Sequence, residues 1–388
     1  MSTAEDYILL GLRLGRHVEG LVDAYYGPEA LAREVDAEPV ADATALVEEA
    51  DALLGRLEDG WLRDQARGLR TCAGVLAGEE LSYSDEAERC YGVRPPRTEN
   101  GLYATAHERL EELFPGDGSL VERYEAWRDD TMLPDDSVIV LARDVAAELR
   151  RGAAALVELP PGEDLVLEEV RDEPWWAFNY YLGGLRSRVV INVDAPTTYD
   201  VLVELAAHEA YPRHHTERSV KEQLLARGAG ASEESIQLVS TPAALVSEGI
   251  AESGPRFVLG GEVGERVVDV FRRHGFDYEL AFARAVREAR ASLRRVSVDA
   301  ALLVYEEGAS PEQAQEYVER WALVSPERAA HIVRFVLDPT WRAYALTYSA
   351  GRELCEAWAG GDPARFARLL GEHVRVGELV RAADATAA

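Results

Sequence analysis

From residue 4 to about 157, apolar residues recur at spacings of three and four with turn signals between the runs, the period of amphipathic helices. Leu9, Leu10, Leu12, Leu14, Val18, Leu21 and Val22 outline a first long helix, which Gly27 and Pro28 close. Further helical stretches are expected near 40–57, 60–78, 98–113, 119–130 and 135–157. This half reads as a helical scaffold.

The period then changes. Residues 165–171 and NYYLGGLRSRVVINVDAP (179–196) are rich in strand formers, and Gly183-Gly184 between two extended runs predicts a hairpin. LPPGED at 159–164 marks the boundary between an N-terminal helical region (1–160) and a region of β-hairpin plus helices (161–388), the two packed as one unit around a cleft. Helix resumes after Thr197 or Thr198, where Val201, Leu202, Leu205 and Ala206 lead into His208. Ser240, Thr241 and Pro242 announce another helix carrying AALVSEGIAES, with Pro at the favoured first-turn position. From 262 to 383 the pattern is helical again. The fold class expected is mainly α with a small antiparallel sheet.

Composition narrows the function. With 388 residues, 47% hydrophobic and 29% charged, the chain can bury a large core. Seventy acidic against 41 basic residues give a net charge of -29, which disfavours nucleic-acid and anionic-membrane partners. Lys221 is the single lysine. Cys72, Cys90 and Cys355 are too few and too scattered for a disulfide framework or a CxxC site. The first 20 residues lack the pattern of a signal peptide, and no run approaches about 20 apolar residues, so a cytoplasmic location is expected.

The chemistry gathers at HEAYPRHH, residues 208–215, which holds three of the eight histidines. In HExxH two histidines one helical turn apart share a metal and the Glu between them handles a proton. Here the fourth position after His208 is Pro212, which cannot donate the helical hydrogen bond. In a straight helix neither His208 and His214 nor His208 and His215 could clamp one ion, so a local widening or kink is required. The ligand pair is then His208 and His214, with His215 supporting or replacing His214. Glu248, 34 residues beyond His214 in an apolar helical stretch, is the third ligand expected, and Glu252 one turn later could orient a ligating histidine. Such a His2Glu set suits zinc, one per chain, or another divalent ion.

HEAYPRHHTE followed by LVSEGIAE resembles the HExxPGHH and EGxA pair of the bacterial zincin-like family known as domain of unknown function 885. The likeness extends to DAYYGP, to NYYLGGLRSRVVIN and to YALTYSAGREL, which is similar to that family's ALSYxxG segment, so it spans most of the chain. It implies a zincin-like helical metallopeptidase fold with His208, His214 and Glu248 as ligands, Glu209 as general base and Tyr348 at the position of the family's C-terminal tyrosine. One departure is Arg213 in place of Gly. Glycine takes a positive φ freely whereas arginine does not, so either the backbone suits an ordinary residue or the site is altered.

An intact site would polarise a water and a substrate carbonyl through zinc, with Glu209 moving the proton to a leaving amine. Tyr348 is the first choice for the oxyanion donor, and Arg352 either binds a carboxylate or oxyanion or pairs with a nearby Glu. An edge strand of the hairpin could hold an extended peptide near Asn179, Tyr180 or Tyr181. Arg186 and Arg188 either read a substrate carboxylate or stay solvated, and Trp175 and Trp176 form core or a hydrophobic wall. Two readings follow: a zinc-dependent hydrolase of short peptides or amides, or a lapsed zincin-like protein that binds metal or peptide without turnover.

Overall fold

The computed structural model describes residues 2–173 and 175–387. Helices begin where the sequence offers a capping oxygen. Ser2, Asp42, Ser82, Ser119, Ser310 and Ser325 each accept a backbone N–H of the first turn, and at Ser2, Ser119 and Ser310 a Glu or Gln three residues on completes the reciprocal cap. The helical stretches expected near 40–57, 60–78, 98–113, 119–130 and 135–157 form at 43–56, 61–76, 100–113, 120–130 and 135–156. Helices at Glu29–Ala37 and Tyr83–Tyr91 join them.

The first helix is shorter than its apolar pattern suggests. It ends at Gly15, and Val22–Tyr25 is a strand, β1. The chain folds back over Gly15, where a Cβ would lie 2.7 Å from Val22 Cγ2, and Gly20 makes the turn at φ 79°. Leu21 and Val22 therefore reach the core through a reversal. No helical periodicity marks that difference.

The sheet expected at the boundary forms with an addition. Strands β2 (Asp164–Val170), β3 (Ala177–Gly183) and β4 (Arg186–Asn192) are ordered β2-β4-β3. The hairpin β3–β4 is antiparallel, with Gly183 paired to Arg186 and the two-residue turn falling one position later than expected, at Gly184 and Leu185, with φ 65° and 64° as a tight hairpin turn demands. β2 lies parallel to β4, from Asp164 opposite Arg186 to Val170 opposite Asn192, so the three-stranded sheet is mixed. The final strand, β5 (Ile236–Leu238), pairs antiparallel with β1. The molecule is thus mainly α with two small sheets.

The long helix Asp135–Leu156 lays Leu141, Val145 and Leu149 against Val189 and Ile191 of β4 and against Leu202 and Ala206 of the helix Tyr199–Glu209. That layer positions His208 in the last turn of its helix. The helix Pro242–Ser253, with Pro242 in its first turn as expected, crosses the helix Ala345–Ala359 at a pair of glycines. A Cβ on Gly249 would sit 2.3 Å from Gly351 O, so only glycine permits this approach. Among the described residues no helix is long and apolar enough to cross a membrane.

Candidate metal centre

HEAYPRHH is a break between two helices. The helix Tyr199–Glu209 carries His208 in its last turn, the Tyr211–Pro212 peptide bond is cis, and a new helix, His214–Lys221, starts at the second histidine. The missing N–H of Pro212 explains why the first helix cannot run on. The turn returns His214 to His208, with their Nε2 atoms 3.1 Å apart.

Glu248 reaches the same point from the helix Pro242–Ser253. Its Oε2 is 3.5 Å from His208 Nε2, and its Oε1 is 3.7 Å from His214 Nε2. Ligands about 2.0–2.2 Å from a tetrahedral zinc ion stand about 3.3–3.6 Å from one another, close to these separations. Glu248 Oε2 is buried and, among the described residues, has no hydrogen-bond donor. Two imidazoles and an unsatisfied carboxylate oxygen suit a divalent cation of borderline softness.

The surrounding contacts orient these donors. Ser247 Oγ donates to Glu217 Oε2 at 2.7 Å, which leaves its oxygen to accept from His214 Nδ1 at 3.2 Å. That arrangement places the His214 proton on Nδ1 and leaves Nε2 free as a ligand. Lys221 is paired with Glu217 at 2.6 Å, which assigns the single lysine to the support of this chain. Tyr344 donates to Glu248 Oε1 at 2.7 Å. Glu252 Oε1 lies 3.8 Å from His208 Nδ1, beyond direct hydrogen bonding, and its other oxygen pairs with Arg294.

Burial governs protonation here. It holds both His208 and His214 well below the usual imidazole range, with neighbouring arginines adding to the effect, so both are neutral near pH 7. Burial pushes the Glu248 carboxyl up to about 8 despite the opposing Tyr344 bond, and Glu209 up to about 7. Glu252 would also rise through burial, but Arg294, Arg213 and Arg287 hold it below the ordinary value. These directions belong to the protein's own groups; a bound cation favours ionised Glu248.

Glu209, the last residue of its helix, lines a cavity of about 710 Å3 together with His208, Arg213, Glu252 and Tyr348. Tyr348 stands edge-on to Tyr344, ring centres 5.6 Å apart. Burial keeps its phenol neutral, well above the ordinary range. Of the hairpin residues, only Asn179 reaches this centre, donating from Nδ2 to Glu209 O. Tyr181 turns away to Glu222, while Tyr180 is exposed beside Arg188. Arg188 also pairs with Glu168, and Arg186 is exposed. Strand β3 is an edge strand, but the cavity meets the chain there only at Trp176 and Ala177.

At three positions where the sequence left alternatives, the structure favours one. His215 does not replace His214: it is fully buried, with Nδ1 2.9 Å from Ser187 Oγ and Nε2 2.7 Å from Glu163 Oε2, because its position one residue on turns it toward β4. Arg352 pairs with Glu356 at 3.0 Å, one turn along its own helix. Arg213 has φ -109°, so no left-handed conformation is asked of it. Its buried guanidinium donates to Ala207 O at 2.8 Å, a last-turn carbonyl that the broken helix leaves open, and to Glu204 O at 3.1 Å one turn earlier.

Sequence reasoning missed Tyr344 and Ser247. Tyr344 precedes Tyr348 by four residues and so shares its helical face, a signal available in YALTY. It missed as well Arg218, which pairs with Asp23 of β1 and donates to Asn179 O at 3.3 Å.

No protein-family model and no curated protein matches the chain. Among solved structures it is similar to "the putative lipoprotein from Colwellia psychrerythraea", with 14% identity and a TM-score of 0.51. The match covers 91% of this chain and 64% of that one, so the chain spans less than two thirds of its neighbour. At that identity the likeness is one of fold.

Proposed function

We propose that this chain is a metal-dependent hydrolase of short peptides or related amides. The observation that carries the reading is the convergence of His208, His214 and Glu248 on one point beside a cavity that also contains Glu209 and Tyr348. The resemblance of HEAYPRHH and EGIAE to a zincin-like family supports it independently.

His208, His214 and Glu248 would hold the ion, zinc being the best match to the donor set. When bound, such an ion supplies Lewis acidity to a carbonyl and lowers the pKa of a water. Glu209, raised to about 7 by burial, is suited to take a proton on its carboxylate from the attacking water and release it to the leaving nitrogen. Tyr348, neutral and facing the cavity, donates its phenolic hydrogen to the developing oxyanion. The cavity, of about 710 Å3, is large enough for a short peptide.

A lapsed site rested on a strained Arg213, and the negative φ there removes that ground. Three unpaired thiols accord with a reducing compartment, and the proposal includes a cytoplasmic location. Hydrolysis of a short-peptide library by full-length protein, compared with Glu209→Gln at matched metal content, tests the reading. Turnover should fall by about 10²–10⁴-fold in the variant. Equal rates would overturn the role of Glu209, and no hydrolysis by the unmodified protein would overturn the function.

A further inference from the structure

In a chain of net charge -29, the wall of the cavity is unexpectedly basic. Four arginines, Arg284, Arg287, Arg290 and Arg294, enter it from one segment, the helix Leu280–Ala289 and the short turn Ala291–Arg295. Their spacing of three, three and four places them along one face. Arg213 and Arg328 come from other elements to the same cavity. Against these six stand four carboxylates, Asp200, Glu204, Glu209 and Glu252.

The ion pairs do not exhaust the arginines. Arg287 is taken by Glu204, and Arg294 by Glu252. Among the described residues, Arg284, Arg290 and Arg328 have no carboxylate partner. Arg290 bonds Tyr124 OH and stacks on its ring, yet its buried Nε has no acceptor. Arg328 lies 4.6 Å from the centre of the Trp176 ring. Arg213, only 1% exposed, leaves Nη1 without an acceptor in the same cavity. A buried guanidinium N–H with no acceptor is costly, and two such groups, Arg290 Nε and Arg213 Nη1, belong to residues that line this one cavity, where a small side-chain shift would bring them to an anion.

Resting on the hydrolase reading, we infer that the substrate bears a carboxylate, held in the cavity by Arg290, Arg213 and the rim arginines Arg284 and Arg328 while the scissile amide lies at the metal centre. A planar carboxylate matches the guanidinium fork, and a cavity shielded from the acidic exterior strengthens the pairing. The carboxylate comes either from an Asp or Glu side chain or from the peptide's C-terminus. Arg287 and Arg294, already paired, set the positions of Glu204 and Glu252.

Calorimetric titration of the full-length, zinc-loaded Glu209→Gln protein tests this with four N-acetylated tripeptides: Ala-Glu-Ala amide, Ala-Gln-Ala amide, Ala-Lys-Ala amide and Ala-Gln-Ala with a free carboxylate. At least one acidic peptide should bind tenfold or more tighter than Ala-Gln-Ala amide, and whichever does names the source of the charge. The lysine peptide should bind weakest. Adding Arg284→Gln and Arg328→Gln, both exposed at the rim, should cut the ratio to threefold or less; Arg290→Lys should retain more of it than Arg290→Gln. Arg272→Gln, on the outer surface, serves as the control. Neutral and acidic peptides binding alike, no binding by any of the four, or a preference that survives the rim substitutions would overturn the inference. Acid preference without hydrolysis by the unmodified protein would sink the hydrolase reading alone, whereas hydrolysis of neutral peptides without acid preference would sink this inference alone.

Discussion

Tyr344 touches no ion position itself but fixes one oxygen of Glu248, and that bond is the simplest to remove. Tyr344→Phe should weaken metal affinity about 10–100-fold, measured by competition with a chelator, because outer contacts of this kind orient the ligand. Arg213→Gly removes two charge-assisted hydrogen bonds at a helix end and should lower stability by about 2–3 kcal/mol in denaturant titration. Glu163 makes a third residue-level case. Burial alone would raise its carboxyl, but hydrogen bonds from His215, Tyr211 and Arg150 bring it down to about 2. A folded pKa below the unfolded one gives stabilisation that is full above about pH 4.5 and is lost as pH falls toward 2. Glu163→Gln should therefore be less stable than the unmodified protein by about 2 kcal/mol at neutral pH, with the gap closing near pH 2. At this scale the grouping of His208, His214 and Glu248 was legible from residue type and spacing. Tyr344 and Ser247 were not, since their roles depend on how two helices face each other, and nothing local in the chain states that.

Between elements, the decisive contact is the crossing of the helix Pro242–Ser253 on the helix Ala345–Ala359. Gly249 sits beside Glu248, and its backbone meets Gly351 too closely for any side chain. Gly249→Ala must part the helices, carrying Glu248 away from both histidines and Tyr344. The expected result is a loss of metal affinity together with about 1–3 kcal/mol of stability, checked by chelator competition and thermal unfolding on the same preparation. The helices were readable because amphipathic spacing and capping serines are local signals. The parallel placement of β2 and the pairing of β1 with β5 were hidden, since partners distant in sequence set them; Val22 looked helical only because its apolar neighbours happened to keep the period.

For the whole molecule, the candidate metal centre joins elements far apart in sequence, since His208, His214 and Glu248 come from three helices and Tyr344 from the start of a fourth. Binding to the folded form alone stabilises by RT ln(1 + [L]/Kd), about 4 kcal/mol at a thousandfold excess over Kd. The unfolding temperature should accordingly rise with the logarithm of free zinc and fall when chelator is added, whereas the His208→Ala protein should show neither response. The acidic exterior and the basic cavity have opposite signs, a contrast that net charge concealed because it averages over positions. The central claim is that HEAYPRHH and Glu248 form a metal site. Its most direct test is the zinc content, by plasma mass spectrometry, of protein purified without nickel resin or chelator, beside His208→Ala and Glu248→Ala. One zinc per chain in the unmodified protein and none in either variant is the predicted result; no metal after zinc is supplied, or equal metal in all three, would contradict it.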